Sequence, residues 1–536
     1  MGDLNVLHVL TVEQLRALIE TEIGNLKAGN FDPAILAAAV NNDRLQLMTM
    51  AESFTTAAEV ALELSRQRIG MNEVLADLKK SETVTKDIFV QETNRILTSA
   101  PAVVYKRSGE KTDRIHAEKP PITPVQIPEA VSPYAMELAQ IPSGTANGPE
   151  VIDWEMAITE TPVSDTKLYS TKNERNERFV FTIEFPAGRY HDLYHALALD
   201  YLTLIGTDQK DLAAFDSELY KLALNLQVSC GNYTSGITVS GLQKYLPQAI
   251  ELLAERLTQV KSDPDAFHRY VERIKKSRAD AKKNPNRLFS GAISRALYGE
   301  KCPALHQLMT AELEQTDPAE LTARLRDLCR TMPRNFIYYG PGDPRETASL
   351  IRKYFPEPDK NLRKIPEPVK FKIVPPAENT VCVIRHPAVQ VLAGLIRPGD
   401  VQIPADTAFE LLLDSYSGPL FFTELREKQA LGYVAQASYS TPAIQPDNYA
   451  TFMAIIGTQN DKLAQGMKAM STMTDHLPQD LNRYRIVREN AVTSLLSQRI
   501  KPEHRYFFRQ DQQRLNLPLD QAVRDLEQIR NTDGKA

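Results

Sequence analysis

The chain has 536 residues, enough for several domains at roughly 100–200 residues each, and its 42% apolar and 24% charged residues are ordinary globular proportions. A formal charge of −5 leaves no whole-chain footprint for nucleic acid or an anionic membrane. No apolar run reaches the ~18 residues of a membrane span, the N-terminus lacks a basic n-region and an apolar h-region, and the four widely spaced cysteines exclude a CxxC knuckle.

The first hundred residues read as helices. Thr11 with Gln14 makes a capping-box pattern ahead of an amphipathic run to Gly29. Asp32-Pro33 supplies an N-cap and a proline at the first helical position, and that pattern stops at Gly70. A further helix covers about Thr85–Leu97, and AVVYKRSG (Ala102–Gly109) reads as a short closing strand. Met48 and Met50 read as core packing. Residues 110–150 are crowded by Pro120, Pro121, Pro124, Pro128, Pro133, Pro142 and Pro149, which predicts an extended, semi-rigid linker.

From Arg178 the pattern alternates. RFVFTIEFPAG is a strand, helices follow at about His191–Ile205 and Leu212–Leu224, and NLQVSCGN and SGITVSGL form a hairpin-like pair. Helices then run from Leu246 to Lys283 and from Pro318 to Cys329, and NFIYYG closes the unit before the turn at Pro341-Gly342-Asp343-Pro344. After a second Pro-rich stretch the order recurs. TVCVIRHPAVQVLAGLI is strand and turn, AFELLLDSYSG and LFFTELREKQ are helices, GYVAQASYS and YATFMAIIG are strands, and helices follow from Lys462 and Leu481.

Ala196–Gly206 lines up with Ala408–Gly418, and Glu218-Leu219 with Glu424-Leu425, so the chain carries an internal repeat with a period of roughly 200 residues. The last unit stops after its helices without a closing strand, and the first segment has a closing strand without opening ones. A sheet short of strands has bare edges. The expectation is a chain cut inside a repeat at both ends.

Two constellations carry chemistry. His191 and His195 of HDLYH are spaced i, i+4, as zinc ligands on a helix can be. A third ligand and a carboxylate base are missing from the motif, with Tyr194 where an inverted H-x-x-E-H sequence has Glu. The basic run Arg273–Arg287 reads as a solvated helix face. The segment Phe422–Tyr433, FTELREKQALGY, reads as a helix, a glycine break and a strand. Arg426 offers five N–H donors and Tyr433 one O–H. They fit either a pair that holds a peptide carbonyl or a tetrahedral oxyanion, or a solvated helix residue and a half-buried strand residue.

Leu425, Arg426, Lys428, Leu431, Gly432 and Tyr433 match L-R-x-K-x-x-L-G-Y, and here the chain resembles the pitrilysin/insulinase family of zinc metallopeptidases. The resemblance covers nearly the whole chain. Phe215–Leu242 looks like the third-domain segment of the large four-repeat members, NFIYYGPGD like that domain's closing strand, and the first 107 residues like the back of the second domain, ending with Tyr105. It implies an α+β fold of repeated α/β sandwiches, LuxS/metallopeptidase-like, with an antiparallel-rich sheet and packed helices.

The implied organisation is a partial second repeat at 1–109, an inter-half linker at 110–160 that acts as the clamshell hinge, an inactive third domain at 161–365 and an inactive, C-terminally truncated fourth domain at 366–536. The family's inverted zinc motif lies in a first domain that this chain lacks. The motif's place in the third-domain unit falls at Leu197–Tyr201, without either histidine, and in the fourth at Phe409–Leu413. By resemblance Arg426 and Tyr433 bind substrate, with zinc in the parent catalytic half and none in this chain. The implied partners are that zinc-bearing half and peptide substrates, with no nucleic acid and no membrane. Extended peptide would bind by strand addition at a sheet edge. The chain then reads as half of a metallopeptidase, a structural or assembly subunit, or a stand-alone peptide-binding module. A bacterial periplasm or cell-envelope location follows if an export signal lies upstream of Met1.

Overall fold

The computed structural model describes residues 11–104, 132–140, 148–388, 390–401, 406–441 and 449–532. The chain divides into two compact units, one of residues 1–9, 32–83 and 148–536, the other of residues 10–31 and 84–147.

In the smaller unit, α1 (Val12–Ala28) starts with the expected capping box, the Gln14 side chain accepting from the Thr11 N–H at 2.8 Å. It ends on Gly29, whose φ of 73° is the left-handed conformation that glycine adopts without strain. In the larger unit come α2 (Ala34–Ala51), α3 (Phe54–Gln67) and α4 (Met71–Ser81). The smaller unit resumes with α5 (Lys86–Ile96), which packs on the end of α1 through Phe31 and Phe89, edge to face at 5.3 Å. The expected strand after it is absent where it can be seen. Ala102–Val104 has no strand partner, Val104 is solvent-exposed, and Tyr105 lies outside the described residues. The stretch 110–160 also differs from the extended linker expected. It contains α6 (Pro133–Gln140), α7 (Trp154–Ala157) and the start of a strand. Pro133 is the first residue of its helix, where a missing N–H costs nothing.

The six-stranded sheet is made of β1 (Thr159–Val163), β2 (Thr166–Lys172), β3 (Arg178–Phe185), β4 (Asn225–Cys230), β5 (Ser235–Leu242) and β6 (Asn335–Gly340), in the order β1-β2-β6-β3-β5-β4. Only β2 and β6 are parallel. The β1–β2 hairpin escaped the sequence reading because TETPV has a proline and TKLYSTK is mostly polar, a composition proper to an edge. On β3, Phe179, Phe181, Ile183 and Phe185 alternate into one core, which is closed by α8 (Leu193–Leu202), α9 (Leu212–Lys221), α10 (Leu246–Thr258), α11 (Pro264–Ala281), α13 (Thr310–Gln315), α14 (Pro318–Thr331) and α15 (Pro344–Tyr354), while α12 (Pro285–Tyr298) has no buried residue. Helix α8 is apolar on all sides and almost wholly buried, as such a helix must be.

The second sheet holds β7 (Gln390–Val401), β8 (Val434–Ser440) and β9 (Tyr449–Gln459), antiparallel throughout, in the order β7-β9-β8. Between β7 and β8 runs α16 (Thr407–Phe421), and after β9 come α17 (Leu463–Asp475), α18 (Leu481–Ser497), α19 (Arg505–Leu515) and α20 (Gln521–Asn531). The order β7-β9-β8 repeats β3-β5-β4. Each last hairpin strand is followed by one 3₁₀ turn, Gln243–Tyr245 or Asn460–Lys462, and then a long helix. Mixed helix with mostly antiparallel sheet is the α+β class expected.

Helix α19 leaves its own sheet and covers the other face of the first. Tyr506 packs with Ile158 and Ile337, its hydroxyl donates to Glu184 of β3 at 2.7 Å, and Trp154 stacks on Phe508 at 5.5 Å. Beside it the buried Arg178 guanidinium pairs with Glu52, from the end of α2, and with Glu503, just ahead of α19.

Candidate functional site

The segment that carries the motif is held from both ends. Asp406 caps α16 by accepting the Phe409 N–H at 2.9 Å. The helix then passes through Pro419, which has no N–H to offer. In place of the expected break between two helices, the chain widens into a π-helical turn, Phe422–Lys428. Such turns are rare and concentrate at functional sites. Leu425 and Leu431 are buried in the core with Phe421, Ile456 and Met470, and so anchor the turn on both sides.

The exit is equally specified. The Leu431 N–H returns to the Leu425 carbonyl at 2.9 Å, and Ala430 takes a positive φ of 49°. Lys462 donates to the Ala430 carbonyl at 2.8 Å. A Cβ on Gly432 would stand 2.5 Å from the Gly457 carbonyl oxygen, a clash with backbone that only glycine avoids. Tyr433 then donates its N–H to that same carbonyl at 2.8 Å and begins the strand.

Arg426 and Tyr433 therefore flank one exposed turn anchored by two buried leucines, and both reach solvent, at 47% and 57% exposure. Their present partners differ. The Arg426 guanidinium lies 4.6 Å from the Phe422 ring centroid, with Glu427 at 3.4 Å, while the Tyr433 hydroxyl accepts from Gln459 of β9 at 3.4 Å. Among the described residues the guanidinium has a cation–π contact and an exposed carboxylate and the phenol one long hydrogen bond, which leaves most of their donors available there.

Sequence reasoning missed two carboxylates at the far end of β8. Asp414 accepts the backbone N–H of Tyr439 at 3.2 Å, and Glu410 accepts that of Thr441 at 3.1 Å. Their i, i+4 spacing on α16 was the available signal. A Cβ on Gly418 would lie 3.3 Å from the Ala437 carbonyl, so α16 runs close along β8 and its carboxylates occupy outward donors of that strand.

The histidine pair does not make a metal site. His191 precedes the helix, because Asp192 is the N-cap of α8, and the i, i+4 helical geometry is lost. The His191 Nδ1 accepts from the Gly188 N–H at 3.1 Å. His195 is buried against Ser235, with Nε2 2.8 Å from the hydroxyl oxygen, and burial lowers its pKa to about 4. Asp192 is engaged by Arg324 and Arg363. In the place of the zinc motif, Leu197 and Tyr201 are core residues, and Asp200 accepts from Tyr270 at 3.1 Å. Among the described residues no three His, Cys, Asp or Glu side chains gather in a way that could hold a metal ion. No helix there is long and apolar enough to cross a membrane.

No protein-family model and no curated protein matches the chain. Solved structures do. The peptidase M16 inactive domain from Pseudomonas fluorescens is 16% identical, with 70% of this chain and 93% of that one covered and a TM-score of 0.53. The periplasmic protease PqqL from Escherichia coli is 12% identical, with 98% of this chain and 59% of that one covered and a TM-score of 0.55. The ferredoxin protease FusC, solved in complex with Arabidopsis ferredoxin, is 12% identical, with 89% of this chain and 56% of that one covered and a TM-score of 0.52. The chain thus spans little more than half the length of these two proteases.

Proposed function

We propose that this chain, which has the fold of the peptidase M16 structures and is similar to an inactive domain of that kind, is the non-catalytic C-terminal half of an insulinase/pitrilysin-type zinc metalloendopeptidase. It closes the proteolytic chamber and holds the peptide substrate. The observation that carries this reading is the turn from the π-helix to β8, built around a glycine that nothing else can replace, with Arg426 and Tyr433 at its ends.

In this reading the domains are those expected, with a partial repeat to 109, a hinge segment over 110–160 and inactive domains over 161–365 and 366–536. Arg426 holds the substrate backbone, and the Tyr433 hydroxyl supports the scissile carbonyl oxygen as charge develops. One such donor is worth about 10²–10³ in kcat. The family's zinc does not fit the described residues of this chain, which offer it no ligand set. The metal and the base belong to the partner half. The complex of FusC with ferredoxin supports a protein segment as the ligand class, and the periplasmic address of PqqL supports a cell-envelope location.

The test uses the purified chain with a dye-labelled extended peptide. Saturable binding that Arg426→Ala weakens, no stoichiometric zinc and no hydrolysis without the zinc-bearing half are the expected results. Chelator-sensitive cleavage by the chain alone would overturn the reading.

A further inference from the structure

The turn that carries Arg426 and Tyr433 is gripped by one corner of the chain, the end of β9 and the 3₁₀ turn that follows it. Gly457 accepts the Tyr433 N–H at 2.8 Å, the Thr458 hydroxyl donates to the Leu431 carbonyl, and Lys462 donates to the Ala430 carbonyl at 2.8 Å. Thr458 is wholly buried, and a Cβ on Gly466 of α17 would stand 3.0 Å from the Ile456 side chain, so the strand end and the helix are closely packed. Backbone groups of the turn are thereby fixed to residues on either side of Gln459. Gln459 makes the remaining contact, its Nε2 donating to the Tyr433 hydroxyl oxygen at 3.4 Å.

A phenol has one proton to give and an oxygen that can accept. Several tyrosines of this chain give that proton to the protein. Tyr338 donates to Gln243 Oε1 at 2.8 Å, Tyr416 to the Pro478 carbonyl at 2.6 Å and Tyr506 to Glu184 at 2.7 Å. Tyr433 does the reverse. Its oxygen accepts, and among the described residues nothing takes its proton, while more than half of the residue is open to solvent.

We infer that Gln459 is a positioning residue for Tyr433, which by donating to the phenol oxygen keeps the single O–H for the carbonyl of a bound peptide. Hydrogen bonds in a chain polarise one another, so the donor at the oxygen also strengthens the bond that the hydroxyl makes. An acceptor in the same place would capture the proton and leave the peptide carbonyl without it. The inference rests on the reading that Tyr433 binds peptide, and deepens it by naming the group that aims the hydroxyl. The corner holds the backbone of the turn, and Gln459 sets the direction of the proton.

The test is a double-mutant cycle on the full chain, with binding of a dye-labelled extended peptide that has no charged side chains. Tyr433→Phe is expected to weaken binding about fivefold, the size of one neutral hydrogen bond. Gln459→Glu keeps the shape of the side chain but can only accept at neutral pH. It should weaken binding about as much, and should add nothing in the Tyr433→Phe background. Gln459→Lys can only donate and should bind as the native chain does. Unfolding midpoints should stay at the native value throughout, because both side chains are exposed. Native affinity in Gln459→Glu, a further loss when it is added to Tyr433→Phe, or an equal loss in Gln459→Lys would each overturn the inference and leave Tyr433 in its role. Tyr433→Phe without effect would overturn the reading beneath it as well.

Discussion

The two sheets follow one order of elements and use it differently. Around β3 the order is filled in. Strands lie on both sides, α8 is buried almost entirely, and α19 covers the second face. Around β7 it is left open. Among the described residues no strand pairs with one edge of β7, and α16 buries only Ala408, Ser417, Leu420 and Phe421. The helix-to-strand connection differs as well. In the first sheet α8 stops, and a separate α9 leads to β4. In the second, α16 runs through a proline into a π-helical turn and delivers the strand directly. One copy gathers its apolar residues into a closed core, and the other leaves Arg426 and Tyr433 exposed on an anchored turn. Repetition of a fold does not repeat its use.

The largest effects should fall on the closed copy. Phe181→Ala removes a fully buried ring from β3 and should cost about 3–5 kcal/mol in urea unfolding. An equal loss from Phe409→Ala, on the half-exposed α16, would erase the contrast. Next comes pH. Burial keeps His195 neutral down to about 4 against a usual 6.5. The unfolded chain therefore binds a proton over that window that the folded chain does not. Stability should fall as pH drops from 6.5 to 4, by on the order of 3 kcal/mol, and His195→Gln should flatten that slope. Burial raises the Glu184 carboxyl, so its contribution has the opposite sign, present at low pH and lost as pH rises through its folded value. Glu184→Gln should steepen the acid loss.

Gly432→Ala should cost about 1–3 kcal/mol, because backbone must move, and should weaken peptide binding more than it lowers the unfolding midpoint. The smallest stability change belongs to Arg426→Ala and Tyr433→Phe, within about 0.5 kcal/mol for exposed side chains. If either unfolds the second sheet, it is structural, and the open copy is not organised around a ligand.

Much of this was legible beforehand. Apolar alternation marked RFVFTIEF and NFIYYG, a capping box marked Thr11, and the LREKQALGY run marked the site turn. What escaped was decided by contacts between distant residues. TETPV and TKLYSTK pair only because β6 arrives from far along the chain to hold them. The His191–His195 spacing fits a helix, yet Asp192 caps the helix between them, which local periodicity cannot show. The π-helical turn had a visible cause in Pro419, but a proline predicts an interruption and not its form.

Arg178 ties together positions far apart in the chain, through Glu52 on one side and Glu503 on the other. Freeing one carboxylate leaves the guanidinium with the other, so a positive charge is stranded in a dry interior, at a cost of several kcal/mol, only when both ends let go. Helix α2 and the segment that opens α19 therefore cannot both leave a folded β3 without that penalty. Calorimetry of the Glu52→Gln, Glu503→Gln double variant should show a larger loss than the two single variants summed.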